Sequence, residues 1–156
     1  AIVSAVTHDT SEAKMTLAGV PDRPGVAATV FRALADQEVN VDMIVQNVSD
    51  HGVTDISFTV PHADLANAMS HTERLATEVG AAGVSSDDTI ARVSVVGAGM
   101  RSNPGVAATM FETLSACGVN IQMISTSAIR VSCVVDGGQV EDAVRSLHEV
   151  FGLHEA

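Results

Sequence analysis

Apolar residues along this chain switch between two periods, and the switches come twice in the same order. Lys14 to Val20 alternates through Met15 and Leu17 and ends in Gly19-Val20, a strand running into a turn. Pro21-Asp22-Arg23-Pro24-Gly25 is a tight loop, and Asp22 shortly before Pro24 is a helix-entry signal. Ala27, Val30, Phe31 and Leu34 then recur at helical spacing, which predicts a helix to about Glu38. Val39, Val41, Met43 and Val45 alternate as a second strand, and Ser49-Asp50-His51-Gly52 reads as a hairpin turn. Asp55 to Val60 is a third strand, stopped by Pro61. Leu65, Ala68, Met69, Thr72 and Leu75 trace a second helix up to Gly80, and Val84 to Asp88 can form a short fourth strand. The order β-α-β-β-α-β is the ferredoxin-like unit of an α+β protein.

The pattern then restarts. Pro24 to Phe31 returns eighty positions on as Pro104 to Phe111, and 12 of the 21 positions from Pro24 to Ile44 are identical in the second copy. A spacing of that length is too long for a solenoid repeat and suits a duplicated small domain. Val93, Val95 and Val96 form a strand ending in Gly97-Ala98-Gly99; Ala107, Met110, Phe111 and Leu114 line a helix that Gly118 stops. Ile121, Met123 and Ile124 lie in the next strand, and Ile129, Val131, Cys133 and Val135 alternate in the one after. A last helix carries Val140, Ala143, Val144, Leu147 and Val150 inward. After Gly152 only four residues remain, so the second copy lacks its fourth strand. The strand-like stretch Ile2 to Thr7 is expected to supply it. The first domain, over 12–90, would then be inserted into a second made of 1–11 and 91–156.

Composition narrows the function. The chain of 156 residues is 46% hydrophobic and 17% charged, with no Trp or Tyr, so its core is built from aliphatic side chains, Met and Ala. Two units of about 70–80 residues would each be marginal alone, so they are expected to share an interface and to dimerise. A net charge of -11 disfavours contact with nucleic acid or an anionic membrane surface. No apolar run approaches the roughly 20 residues of a membrane span, and the start at Ala1-Ile2-Val3 does not read as a signal peptide. The start at Ala rather than Met is expected of a trimmed chain or a piece of something longer. A cytoplasmic setting is expected, with Cys117 and Cys133 as buried, reduced thiols.

Few constellations carry chemistry. Gly97-Ala98-Gly99 follows a strand, but Ser102 stands where a dinucleotide fingerprint needs its third glycine. His8, His51, His62, His71, His148 and His154 show no metal-ligand spacing, and Ser125, Thr126 and Ser127 have no nearby base. No catalytic residue, metal or cofactor is therefore expected. The loop Asp22-Arg23-Pro24-Gly25-Val26-Ala27 differs: it joins a carboxylate to the first amides of a helix, which favour an anion. Together these suit a zwitterion such as a free amino acid, and Gln46, Asn47 and Asn40 on the following strand can add amides. A plain helix cap with polar strand ends is the competing explanation.

Several stretches closely resemble the regulatory half of bacterial aspartate kinases: Ser11-Glu12-Ala13-Lys14, Asn40-Val41-Asp42-Met43, Gln46-Asn47-Val48-Ser49, Thr54 to Thr59, Val96 to Met100 and above all Ile124-Ser125-Thr126-Ser127. The likeness covers nearly the whole chain and is strongest to the separately made small subunit of the heteromeric enzyme. It implies two ACT domains, the first inserted into the second, and a regulatory module with no catalytic site of its own. It further implies a homodimer through the ACT domains, bound to catalytic aspartate kinase subunits in a heterotetramer, with threonine, often with lysine, as inhibitor. Carried over, the effector site is Asp22, Arg23, Pro24, Gly25, Val26, Ala27, Asn40, Val41, Asp42 and Gln46, faced across the seam by Val106, Ala107, Asn120, Ile121 and Ser127 of the partner chain. One departure is Ala128, where the family usually has Glu; it removes a carboxylate from the second copy. The alternatives are an ACT-type sensor serving another biosynthetic enzyme, and a scaffold with a vestigial effector loop.

Overall fold

The computed structural model describes residues 2–153. In chain order the elements are β1 (Ala5–Asp9), β2 (Glu12–Pro21), α1 (Val26–Asp36), β3 (Ile44–Gln46), β4 (Val53–Pro61), α2 (Leu65–Val79), β5 (Gly83–Asp87), β6 (Ile90–Val96), α3 (Gly105–Ala116), β7 (Ile121–Thr126), β8 (Arg130–Asp136) and α4 (Val140–Val150). Short 3₁₀ turns precede α2, α3 and α4. Ser11–Asp88 form one compact unit; the residues up to Thr10 and those from Thr89 onward form the other. The expected architecture is present: two four-stranded antiparallel sheets ordered β3-β4-β2-β5 and β1-β6-β8-β7.

In the inserted unit, Val26, Val30 and Leu34 recur every fourth residue, so one stripe of α1 is buried on the sheet. With Met15, Leu17, Ile56, Phe58 and Val60 they build the core. Phe31 meets Phe58 edge to face at 5.2 Å, a favoured aromatic geometry. The split unit repeats the plan with Val106, Met110 and Leu114 from α3, Val93, Val95, Val131, Cys133 and Val135 from the sheet, and Ala143 and Leu147 from α4. Both units also pair hydroxyls across their two central strands: Thr16 with Ser57 at 2.9 Å and Ser94 with Ser132 at 2.7 Å.

The N-terminal strand completes the split unit, antiparallel to β6. It begins at Ala5 and runs to Asp9, later than the expected Ile2 to Thr7. Asp9 faces Arg92 and pairs with it at 3.4 Å, which holds the far end of the strand. Ahead of the strand, Ile2 and Val3 cross directly over the glycine pair. A Cβ on Gly97 would lie 2.2 Å from the Ile2 carbonyl oxygen, and one on Gly99 would lie 2.8 Å from the Ile2 Cα. Close backbone approach is the reason for Gly97-Ala98-Gly99.

Three further expectations are corrected. The second strand of the inserted unit is not continuous from Val39 to Val45; its regular ladder begins at Ile44, so Asn40 does not open a strand. Asp42 N–H donates to the Thr59 carbonyl (3.1 Å), while Thr59 N–H donates to the Met43 carbonyl (3.0 Å). Two residues therefore oppose one, a β-bulge. The split unit bulges at the matching place, between Ile121 and Met123. Second, Asp22 does not cap α1; the cap is Gly25 at φ 92, with no side-chain bond. Third, Cys117 is half-buried and its thiol donates to Ser146 Oγ (3.1 Å), whereas Cys133 is fully buried. Among the histidines, His8, His51 and His62 are exposed and His71 and His148 half-buried; His154 lies outside the described residues. Among those residues no helix is long and apolar enough to cross a membrane.

Gly97→Ala forces the Ile2–Val3 backbone off β6, and overpacking of this kind costs about 1–3 kcal/mol; urea unfolding should show it, with Gly105→Ala, whose Cβ position is open, as the contrast. Burial pushes the Cys133 thiol from 9.0 up to about 12. The unfolded chain releases this proton from about pH 9, the folded chain only near 12. Stability held by the neutral thiol is thus complete below pH 9 and is lost as the pH climbs toward 12, at up to about 1.4 kcal/mol per pH unit. Unfolding curves at pH 8 and pH 10 should differ more for the native chain than for Cys133→Ala.

Candidate functional site: the loop between β2 and α1

The loop that enters α1 is held from three sides. Asp22 N–H donates to the Gly52 carbonyl in the β3–β4 hairpin (2.9 Å). The Arg23 guanidinium reaches the Val79 carbonyl at the end of α2 (3.3 Å), where the helix carries partial negative charge. Gly25 takes a left-handed φ of 92, which favours glycine, and its carbonyl accepts from both the amide and the hydroxyl of Thr29 (2.9 and 3.0 Å). The loop thus turns sharply and presents the first amides of α1, which have no acceptor within the helix.

A pocket of about 370 Å³ opens at this point, lined by Val20 to Ala27 together with Gln46, Thr54 and Ile56. The structure therefore brings together Asp22, Arg23, Pro24, Gly25, Val26, Ala27 and Gln46. It does not bring in the rest of the set. Asn40 is exposed on the connection after α1, Val41 packs on the core, and Asp42 sits in the bulge against Thr59. Val20, Pro21, Thr54 and Ile56 were missed. The hairpin gave the signal for Thr54 and Ile56: His51 and Gly52 both take positive φ and Asp50 bridges Val53. Such a turn sets the β3–β4 register, and Gln46 pairs with Ile56. Thr54 lies two residues away on the same face; its hydroxyl donates to the Asn47 carbonyl (2.7 Å).

The split unit has its own version, also about 370 Å³, lined by Arg101, Asn103, Val106, Ala107, Thr126, Ser127 and Ala128 among others. Val106, Ala107 and Ser127 of the expected set meet here. Asn120 is exposed on the connection after α3, and Ile121 packs on the core; neither lines this pocket. Ser102 and Thr126 stand where the inserted unit has Asp22 and Gln46, and no carboxylate lines the cavity. A carboxylate beside helix amides suits a zwitterion; a guanidinium with hydroxyls and no carboxylate does not supply the ammonium partner.

A profile of the ACT domain matches residues 15–74 and again 93–151, the two units just described. The solved structure of aspartokinase alpha and beta subunits superposes with a TM-score of 0.91 at 46% identity, over 97% of this chain and 99% of that one. The chain belongs to the regulatory ACT region of the aspartokinases. The ligand-free regulatory subunit of aspartate kinase from Thermus thermophilus is also similar, with a TM-score of 0.91 and 38% identity over 97% of this chain and 99% of that one. An aspartokinase of Mycolicibacterium smegmatis is 49% identical over 155 residues. The chain spans 37% of the length of that relative, so the catalytic part of an aspartokinase lies outside it.

In the first ACT domain Arg23 is the tie between the effector-type loop and α2. Arg23→Ala should lower stability by about 1 kcal/mol, the net worth of one such hydrogen bond, as measured by urea unfolding.

Proposed function

We propose that the chain is the amino-acid-sensing part of an aspartokinase, with threonine, alone or with lysine, as the effector. The observation that carries this is one pocket lined by Asp22, the first residues of α1 and Gln46. A free amino acid offers the matching groups: its carboxylate to the helix amides, its ammonium to Asp22 and Gln46. A threonine side chain then meets Thr54 through its hydroxyl and Val20 or Ile56 through its methyl. The family resemblance adds Asn40, Val41 and Asp42 of the same chain, which do not line the pocket itself. Val106, Ala107, Asn120, Ile121 and Ser127 of a second copy form its opposing wall in an ACT dimer.

Self-association has a physical basis in the edge strands. β3 and β7 each end a sheet, and each exposes an isoleucine at the matching position, Ile44 at 53% and Ile124 at 44%. An edge with unpaired backbone groups and an apolar side chain is a natural pairing surface. The effector acts by binding one dimer arrangement better than another, since a ligand shifts an equilibrium only by its differential affinity. Moving a population from 10:90 to 90:10 takes about 80-fold, roughly 2.6 kcal/mol, within reach of a charge-assisted hydrogen-bond pair and a buried methyl. The arrangement favoured by threonine holds the catalytic subunit inactive and so limits phosphorylation of aspartate by ATP at the head of lysine, threonine and methionine synthesis. A cytoplasmic location goes with this role.

Isothermal calorimetry with threonine and lysine at millimolar concentration tests the proposal directly. Threonine should bind, and Asp22→Ala should weaken it at least ten-fold while the melting temperature of the free chain barely moves. No heat and no thermal stabilisation with either amino acid would remove the sensing role; retained affinity in Asp22→Ala would remove Asp22 from the site.

A further inference from the structure

Arg23 lines the pocket between β2 and α1, yet its guanidinium is engaged outside it. Among the described residues it has one hydrogen-bond partner, the Val79 carbonyl in the last turn of α2 (3.3 Å). A guanidinium carries five N–H donors in a planar fork, and 3.3 Å is long beside the usual range of about 2.7–3.2 Å. Arg23 is exposed and lies outside the core, so its side chain is free to turn. Asp22 lines the same pocket, and among the described residues no ion pair joins it to Arg23. Opposite charges that share a pocket without pairing are what a zwitterion can bridge.

The other end of this tie lies away from the pocket: none of Val79 to Ala82 lines it. Val79 is buried, and α2 stops directly after it at Gly80, with φ 81. The amides of Gly80 and Ala81 both return to the Ala76 carbonyl, and Ala82 N–H donates to the Ala18 carbonyl (2.8 Å) as the chain enters β5. The second copy has no such tie. Eighty positions on, Asn103 stands for Arg23, and its side-chain amide donates within its own loop, to the Gly99 carbonyl (2.7 Å). The tie therefore occurs in the unit whose pocket also has a carboxylate, and not in the one whose pocket has none.

We propose that Arg23 couples the pocket to the end of α2: the α-carboxylate of a bound amino acid draws its guanidinium off the Val79 carbonyl. A carboxylate competes well for that guanidinium. Charge-assisted hydrogen bonds run at about 2.7–2.9 Å and are roughly twice as strong as bonds between neutral groups, and the fork can take both carboxylate oxygens at once. Arg23 then stands with the first amides of α1 at the carboxylate end of the ligand, and Asp22 stands at the ammonium end. The Val79 carbonyl has no donor within its own helix, so it loses its partner and the connection from α2 to β5 loosens. Occupancy of the pocket thus reaches backbone that does not line it. The inference rests on the proposed amino-acid site between β2 and α1.

The test is amide hydrogen exchange on the native chain and on Arg23→Gln, each with and without saturating threonine, or lysine where calorimetry finds that lysine is the amino acid bound. The amino acid should speed exchange at Gly80 and Ala81 at least three-fold in the native chain. In Arg23→Gln these amides should already exchange at the faster rate, adding the amino acid should change them no further, and calorimetry should show at least five-fold weaker binding. A native chain that binds the amino acid while Gly80 and Ala81 exchange at the same rate or more slowly overturns the coupling and leaves the amino-acid site standing; this is the result expected if Arg23 only braces the loop. A folded Arg23→Gln that binds as tightly as the native chain overturns it as well. Circular dichroism melting checks that the variant folds, and the native chain alone decides the matter if it does not. A native chain that binds neither amino acid overturns the inference together with the sensing role beneath it.

Discussion

The pairing of β1 with β6 is the contact on which the rest of the structure depends. It joins residues about ninety positions apart, Ala5 to Val96 and Asp9 to Arg92, and encloses the whole of the inserted unit between its ends. Without it the split unit would have three strands and an open edge on β6. Long-range pairing of this kind carries a loop-closure cost that grows only slowly with loop length. A folded domain can therefore occupy the loop. Gly97 and Gly99 keep the approach to β1 open, because any side chain on them would strike the Ile2–Val3 backbone.

Duplication preserved the scaffold and let the polar chemistry diverge. Both copies keep the apolar stripe at every fourth residue of the first helix, the hydroxyl pair between central strands and the bulge in the strand after that helix. Each of these sits where packing or backbone hydrogen bonding punishes change. The helix-entry loops face solvent and are free to differ, so Asp22 and Gln46 in one copy correspond to Ser102 and Thr126 in the other. The two pockets are alike in volume and unlike in charge. The asymmetry makes the first copy the one with groups for both ends of an amino acid.

Much of the candidate site was legible because it is local. Asp22 to Ala27 are consecutive, and the proline–glycine turn into a helix dictates what their backbone does. Gln46 was reachable because it ends the next strand. Thr54 and Ile56 were not, since they enter by strand register, and register is a property of a hairpin and not of either strand. Asn40 and Asp42 were misplaced for a related reason. Alternation of Val39, Val41 and Met43 looks like regular strand, and burial does alternate there, but a bulge changes the ladder without disturbing the in–out pattern.

By itself, the sequence determined the duplication, the order of strands and helices, the need for a strand from outside the second copy, and the loop where helix amides meet a carboxylate. These follow from periodicity and turn chemistry, which act over a few residues. Tertiary structure alone decided where β1 starts and stops, which β4 residues complete the pocket, and how deeply each cysteine lies. Those depend on which distant backbones come within a few ångströms of one another, and no local pattern encodes that distance.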